Sequence, residues 1–246
     1  MELNKYIDHT NLKNTATLKD IEKLCNEAIE YNFASVCVYP YYVTLAKKLL
    51  KGTNVEVCTV IGFPSGESTK ETKVFEAINA VENGATEIDM VINISALKNK
   101  DYDYVKDEIE EIRDAIDGKV LKVIIETCLL TKDEIIKMTE ICNETFVNFI
   151  KTSTGFGEYG ARVEDVELIN EHKNELLEIK ASGGIKTMED LEDMVNAGAT
   201  RIGTSSGVKI FSECHCKDGK ECTCGDECHC GDDCSCGDHC HSKEGK

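Results

Sequence analysis

Phe146-Val147-Asn148-Phe149-Ile150-Lys151-Thr152-Ser153-Thr154-Gly155-Phe156 is an apolar, strand-like run that ends in a single lysine, with small hydroxyl residues and glycine directly after it. A lysine so placed is either a charge reaching from a sheet end into water or an amine held in a pocket to attack a carbonyl. Twenty-nine residues later the pattern recurs as Leu176-Leu177-Glu178-Ile179-Lys180-Ala181-Ser182-Gly183-Gly184. Either lysine alone reads as strand-end solubility. The pair reads as one site, because an ammonium beside a second cation loses its proton more readily. The neutral amine is the nucleophile that makes Schiff bases.

Outward from these two runs, short β-branched segments alternate with longer amphipathic ones. Strands are predicted over residues 6–8, 35–39, 55–62, 87–93, 120–126, 147–151, 178–181 and 201–203, with helical periodicity between them, as over 69–83, 102–117, 132–143, 163–172 and 187–196. Asn83-Gly84 and Ala197-Gly198 read as helix stops, and Thr131-Lys132-Asp133-Glu134 as a capping box. Eightfold alternation predicts a closed parallel (β/α)8 TIM barrel rather than an open doubly wound sheet. No nucleotide-binding glycine fingerprint follows the first strand, which agrees.

Sites in this fold sit at the carboxyl ends of the strands, so Lys151 closing strand six and Lys180 closing strand seven are expected to project into one mouth. Asp89, in the middle of the apolar strand Glu87-Ile88-Asp89-Met90-Val91-Ile92-Asn93, has to face inward or be paired. A structural ion pair with a barrel lysine is the competing reading, and Asp8 has similar standing. The loops after strands seven and eight, with Gly183, Gly184, Ser205 and Ser206, are small and hydroxyl-rich and are each expected to open a helix that binds phosphate.

Composition divides the 246 residues sharply. Residues 1–211 form the predicted barrel domain, with five scattered cysteines (Cys25, Cys37, Cys58, Cys128 and Cys142) expected to be buried. Residues 212–246 carry the other nine of fourteen cysteines, four of six histidines, and almost no large apolar side chain. Such a tail cannot build a core and is expected to be disordered unless a metal or cross-link orders it. The formal net charge is −18, of which the tail holds four basic against nine acidic residues. Both parts are therefore acidic, which argues against a nucleic-acid partner. No apolar run reaches the length of a membrane span, and the first residues lack a signal-peptide core. A cytoplasmic protein is expected, where clustered cysteines point to metal rather than disulfides.

At Ile7-Asp8-His9-Thr10, Ser35-Val36-Cys37-Val38-Tyr39-Pro40, Val60-Ile61-Gly62-Phe63-Pro64, the Asp89 strand, both lysine motifs and Arg201-Ile202-Gly203-Thr204-Ser205-Ser206-Gly207, the body resembles the deoxyribose-phosphate aldolases, a class I aldolase family. The segments occur in family order and span nearly all of residues 1–211. The resemblance implies a (β/α)8 barrel that needs no cofactor for catalysis and cleaves 2-deoxyribose 5-phosphate to glyceraldehyde 3-phosphate and acetaldehyde. It implies Lys151 as the Schiff-base lysine, Lys180 as the second lysine that lowers its pKa, and Asp89 as the carboxylate of a proton relay. Gly183, Gly184, Ser205 and Ser206 match the phosphate loops. Cys37 falls near the family's site but reads as packing, and His9 and His172 read as ordinary polar positions. The partner implied is a small phosphorylated sugar, and a homo-oligomer is compatible with the sequence.

The tail has its own pattern. Cys222-Thr223-Cys224-Gly225-Asp226-Glu227 repeats at Cys228-His229-Cys230 and at Cys234-Ser235-Cys236; a fourth copy starts at Cys240, and Cys214 and Cys216 flank His215. Tandem Cys-x-Cys hexads with glycine joints suit a thiolate cluster holding zinc or copper(I), similar to metallothioneins in composition alone. Two other functions compete with the aldolase reading: a metal-binding or storage protein on a barrel scaffold, and a Schiff-base aldolase for another phosphorylated aldehyde.

Overall fold

The computed structural model describes residues 2–212. Eight parallel strands pair in chain order: β1 Ile7–Asn11, β2 Ser35–Val38, β3 Glu56–Ile61, β4 Glu87–Val91, β5 Val120–Ile124, β6 Phe149–Lys151, β7 Glu178–Ser182 and β8 Arg201–Thr204. β8 returns to β1 at Ile7↔Ile202 and Asp8↔Gly203, so the predicted TIM barrel is closed and leaves no free sheet edge. The helices are α1 Leu18–Glu30, α2 Val43–Leu49, α3 Lys70–Glu82, α4 Ile94–Lys98, α5 Tyr102–Ala115, α6 Lys132–Glu144, α7 Val163–His172, α8 Met188–Ala197 and α9 Gly207–Ser212.

Local chemistry sets the boundaries. α1, α6 and α8 each begin with a reciprocal capping box, Thr17 with Asp20, Thr131 with Glu134 and Thr187 with Asp190. Gly198 ends α8 in the left-handed region. α1 buries Ile21, Leu24, Cys25 and Ala28, a single stripe at helical spacing. Such stripes and the outward side chains of the strands make one continuous core between sheet and helices. Each fully buried isoleucine or leucine there contributes about 1.5–3 kcal/mol. β6 is shorter than its apolar run because the Asn148 side chain, not a ladder carbonyl, accepts the Leu121 N–H at 2.9 Å.

Two expectations need correction. β7 does not end at Lys180: Ala181 and Ser182 go on pairing with Ile202 and Gly203 of β8. Nor does Gly183-Gly184 open a helix, since both glycines have positive φ (85° and 84°) and turn the chain out of β7, with α8 starting only at Met188. The loop after β8 does run directly into α9.

Inside the barrel the usual apolar filling is replaced by charge. Asp8, Glu87, Asp89, Lys122, Lys151 and Lys180 are all buried. Outside it, between α3 and α5, lies a separate ion pair: Lys73 Nζ meets Glu108 Oε1 at 2.6 Å and donates to the Val91 carbonyl, and Glu108 Oε2 accepts the Asn93 N–H. No helix among the described residues is long and apolar enough to cross a membrane. The cysteine-rich segment, including every candidate metal ligand from Cys214 to Cys240, lies outside the described residues.

Candidate active site

Strand register builds the site. Asp89 of β4 pairs with Lys122 of β5, and Lys151 of β6 with Lys180 of β7, which puts all four side chains in the barrel interior. Asp89 is the hub. Its Oδ2 accepts from Lys151 Nζ and Lys180 Nζ, each at 2.7 Å, and its Oδ1 from Lys122 Nζ at 2.9 Å and the Cys58 thiol at 3.0 Å. Lys180 also meets Asp8 at 2.5 Å, Lys122 meets Glu87 at 2.6 Å, and Arg201 Nη1 meets Asp8 at 2.7 Å and Glu87 at 3.2 Å. The cluster therefore holds four cations (Lys122, Lys151, Lys180, Arg201) against three carboxylates (Asp8, Glu87, Asp89).

At Asp8, Asp89, Lys122 and Lys180 burial opposes the charge and the partners overcome it. Desolvation alone would raise the Asp89 carboxyl, but Lys122, Lys151 and Lys180 hold it well below the usual carboxylate range. Asp8 is held low against the same penalty by Lys180, Arg201 and Lys122. Burial would push the Lys180 ammonium toward neutrality; Asp8 and Asp89 instead raise its pKa. Lys122 is likewise raised against burial by Asp89, Cys58 and Glu87. These groups are fixed ions at neutral pH.

A pocket of about 540 Å³ opens above the cluster at the carboxyl ends of the strands. Of the three interior lysines only Lys151 lines it; Lys180, Lys122 and Asp89 lie beneath. The expectation that both amines project into one mouth is thus corrected. The reason is the extra length of β7, whose Ser182, not Lys180, reaches the pocket. Gly203 makes room for this arrangement: a Cβ there would lie 2.3 Å from Ser182 Oγ and 3.1 Å from Lys180 Cε. Gly183, Gly184, Ser205 and Ser206 all line one wall, with Lys186 and Lys13 nearby.

Several participants escaped the sequence reading. Lys122 sits in Val120-Leu121-Lys122-Val123-Ile124, and the burial argument applied to Asp89 would have marked it. Glu87 and Arg201 begin their strands, and the sequence reading assigns a role to neither. Cys37 and Cys58 are not scattered but register neighbours; the nearby Cys58 side chain draws the Cys37 pKa down, and burial pushes Cys58 well up. Donor atoms of Cys37, Cys58 and Asp89 lie within 4.8 Å of one another, yet ammonium groups already fill that space, so the set does not suit a metal. His9 is no ordinary polar position: it is buried, bonds Glu27 at 2.9 Å, and lines the pocket. His172 is exposed.

A closed (β/α)8 barrel with one lysine at the floor of an open pocket and a buried ionic cluster below it is the frame of a barrel aldolase. The chain belongs to the DeoC/LacD family of aldolases, whose family model matches residues 3–213. It is 57% identical over 216 residues to the deoxyribose-phosphate aldolase of Thermoanaerobacter sp. (strain X514), covering 87% of this chain and 97% of that one. To the deoxyribose-phosphate aldolase of Clostridium tetani (strain Massachusetts / E88) it is 55% identical, covering 87% and 99%. The barrel overlays the tetrameric deoxyribose phosphate aldolase of Aeropyrum pernix with a TM-score of 0.80 at 34% identity, covering 85% of this chain and 89% of that one.

Proposed function

We propose that this aldolase cleaves 2-deoxyribose 5-phosphate reversibly to glyceraldehyde 3-phosphate and acetaldehyde, with Lys151 as the Schiff-base nucleophile. One observation carries the assignment of the nucleophile: among the described residues Lys151 is the only interior lysine on the pocket surface, and it touches one carboxylate where Lys122 and Lys180 touch two or more. With four cations against three carboxylates, release of one proton leaves the cluster neutral, and Lys151 is the member placed to release it. Identity to the named relatives supports the substrate.

The amine of Lys151 adds to the sugar's aldehyde carbon and loses water to give an iminium. The iminium draws electrons from the C2–C3 bond as the C3 hydroxyl gives up its proton. Glyceraldehyde 3-phosphate departs, an enamine remains, and its protonation at C2 followed by hydrolysis returns acetaldehyde and the free amine. Asp89 fixes and orients Lys151, whose proton leaves to pocket water, and Lys180 stays charged on the same carboxylate oxygen. Gly183, Gly184, Ser205 and Ser206 hold the phosphate. The whole reaction fits a cytoplasmic enzyme and needs no cofactor.

Borohydride trapping with acetaldehyde should leave one two-carbon adduct, on Lys151 by peptide mass spectrometry. An adduct elsewhere, or none, overturns the assignment. A panel of phosphorylated aldehydes with acetaldehyde as donor separates this substrate from that of a related aldolase.

A second module is favoured by a separate observation. The family match stops at residue 213, and the three Cys-x-Cys hexads follow it. Nine thiols and four imidazoles suit zinc or copper(I) at about four ligands per ion. Deleting residues 213–246 should abolish most binding of either metal and leave turnover within a few-fold. A folded but inactive truncation would join the tail to the active site, and unchanged metal binding would remove its function.

A further inference from the structure

We propose that Glu126 is a positioning residue that sets the phosphate wall of the pocket by holding the loop after Lys151; this rests on the aldolase reading above. The sheet fixes that loop only as far as Thr152. Ile125 N–H donates to the Lys151 carbonyl at 3.0 Å, Thr127 N–H to Thr152 at 2.9 Å, and Thr152 N–H to Lys180 at 3.1 Å. Beyond Thr152 a side chain takes over. Glu126, at the carboxyl end of β5, accepts the Thr154 N–H on Oε1 at 3.2 Å and the Thr154 hydroxyl on Oε2. Thr154 Oγ1 in turn accepts the Phe156 N–H at 3.0 Å.

Three features make this more than a satisfied surface acid. Glu126 is buried, and among the described residues its donors are all neutral, so it is not one half of an ion pair. Its backbone is left-handed, with φ 54°, a costly conformation for a residue other than glycine. That turn aims the carboxylate across to the next loop. The relay also continues into the pocket: Thr154, Gly155 and Phe156 line it. A Cβ on Gly183 would lie 3.4 Å from the Gly155 Cα and 2.9 Å from the Gly160 Cα, so the two loops meet main chain to main chain. Moving Thr154 moves Gly155 against Gly183. Lys151 stays on its ladder bonds.

The consequence is selective. Loss of Glu126 should damage recognition of the phosphate while sparing the imine chemistry. Cleavage of 2-deoxyribose 5-phosphate and of unphosphorylated 2-deoxyribose is measured for the intact enzyme, Glu126→Ala, Glu126→Gln and Thr154→Val. In Glu126→Ala the ratio of kcat/KM for the phosphorylated over the plain sugar should fall about tenfold, chiefly through KM. Acetaldehyde trapping on Lys151 should change little. Glu126→Gln keeps an acceptor for the Thr154 N–H and should recover most of the loss, and Thr154→Val should reproduce part of it without adding to Glu126→Ala. Calorimetric titration with inorganic phosphate gives a readout free of cleavage, with binding about tenfold weaker in Glu126→Ala. An unchanged ratio, an equal loss on both sugars, or equal phosphate binding overturns the proposal. Should Glu126→Ala fail to fold, Glu126→Gln and Thr154→Val decide it by the same ratio. A wild-type enzyme that binds phosphate but cleaves neither sugar overturns the substrate reading alone.

Discussion

Two regions of this molecule bury lysine against carboxylate. Between α3 and α5, Lys73 and Glu108 stand one charge against one, 2.6 Å apart, sealed from solvent and away from the pocket. Around Asp89, four cations meet three carboxylates, and one lysine breaks through to the pocket floor. Burial prevails at the first: it draws the Lys73 pKa down and the Glu108 pKa up, both toward the neutral pair. At the second, multiple partners prevail, and Asp8 and Asp89 are held far below ordinary carboxylates. A balanced and sealed pair ties helices together. A cluster with one surplus cation and one opening is what the proposed Schiff-base chemistry at Lys151 requires.

The largest effect expected from breaking this contrast is at Lys151. Lys151→Met should lower kcat/KM by at least about 10⁴-fold while thermal unfolding shows an intact fold, since the surplus cation is what has been removed. Lys180→Leu comes next. With the cluster then balanced at three against three, nothing favours release of a proton; turnover should drop about 10²- to 10³-fold and the acid limb of the pH–rate profile should move to higher pH. An unmoved limb would refute the role given to Lys180.

The sealed pair should respond in stability and not in chemistry. Glu108→Ala leaves the buried Lys73 ammonium without its carboxylate, only the Val91 carbonyl remaining, and should cost about 3 kcal/mol in denaturant unfolding, with kcat per folded molecule unchanged. Replacing both residues with apolar ones of similar volume should recover most of that loss. Gly203→Ala should be milder, at about 1–2 kcal/mol, but felt in both assays, because the new methyl crowds Ser182 Oγ and Lys180 Cε.

Acid titration sharpens the contrast through opposite signs. The folded pKa of Asp8 lies below its unfolded value, so its contribution is present above about pH 3.9 and is lost as pH falls toward the folded value. Asp8→Asn should flatten the acid limb of stability by about 1.4 kcal/mol per pH unit. The folded pKa of Glu108 is raised, so stability grows as pH falls from its folded value to its unfolded one, and Glu108→Gln should remove that gain.

The barrel and the lysine pair were legible because their signals are local. An apolar run ending in lysine and small residues is one strand and its loop, and eight such alternations admit few folds. The depth of each lysine was not legible. Lys151 and Lys180 look alike in sequence, and only the pairing of Ala181 and Ser182 with β8 sinks the second below the pocket. Lys122 was missed although its apolar strand marks it, and Arg201 because its partner Asp8 lies 193 residues away. Glu126 read as one more strand residue, because nothing local announces its left-handed turn.

The two extra residues of β7 have one further consequence. This chemistry releases a small, membrane-permeable electrophile beside three amines. An enzyme with all three on the pocket surface would be open to poisoning by its own product, through dead-end imines and cross-links. Here the end of β7 covers Lys180 and Lys122 lies buried beneath the pocket, each locked as an ammonium that does not attack an aldehyde. On the proposed mechanism, the short stretch of sheet that covers Lys180 is also what leaves Lys151 as the amine at the pocket.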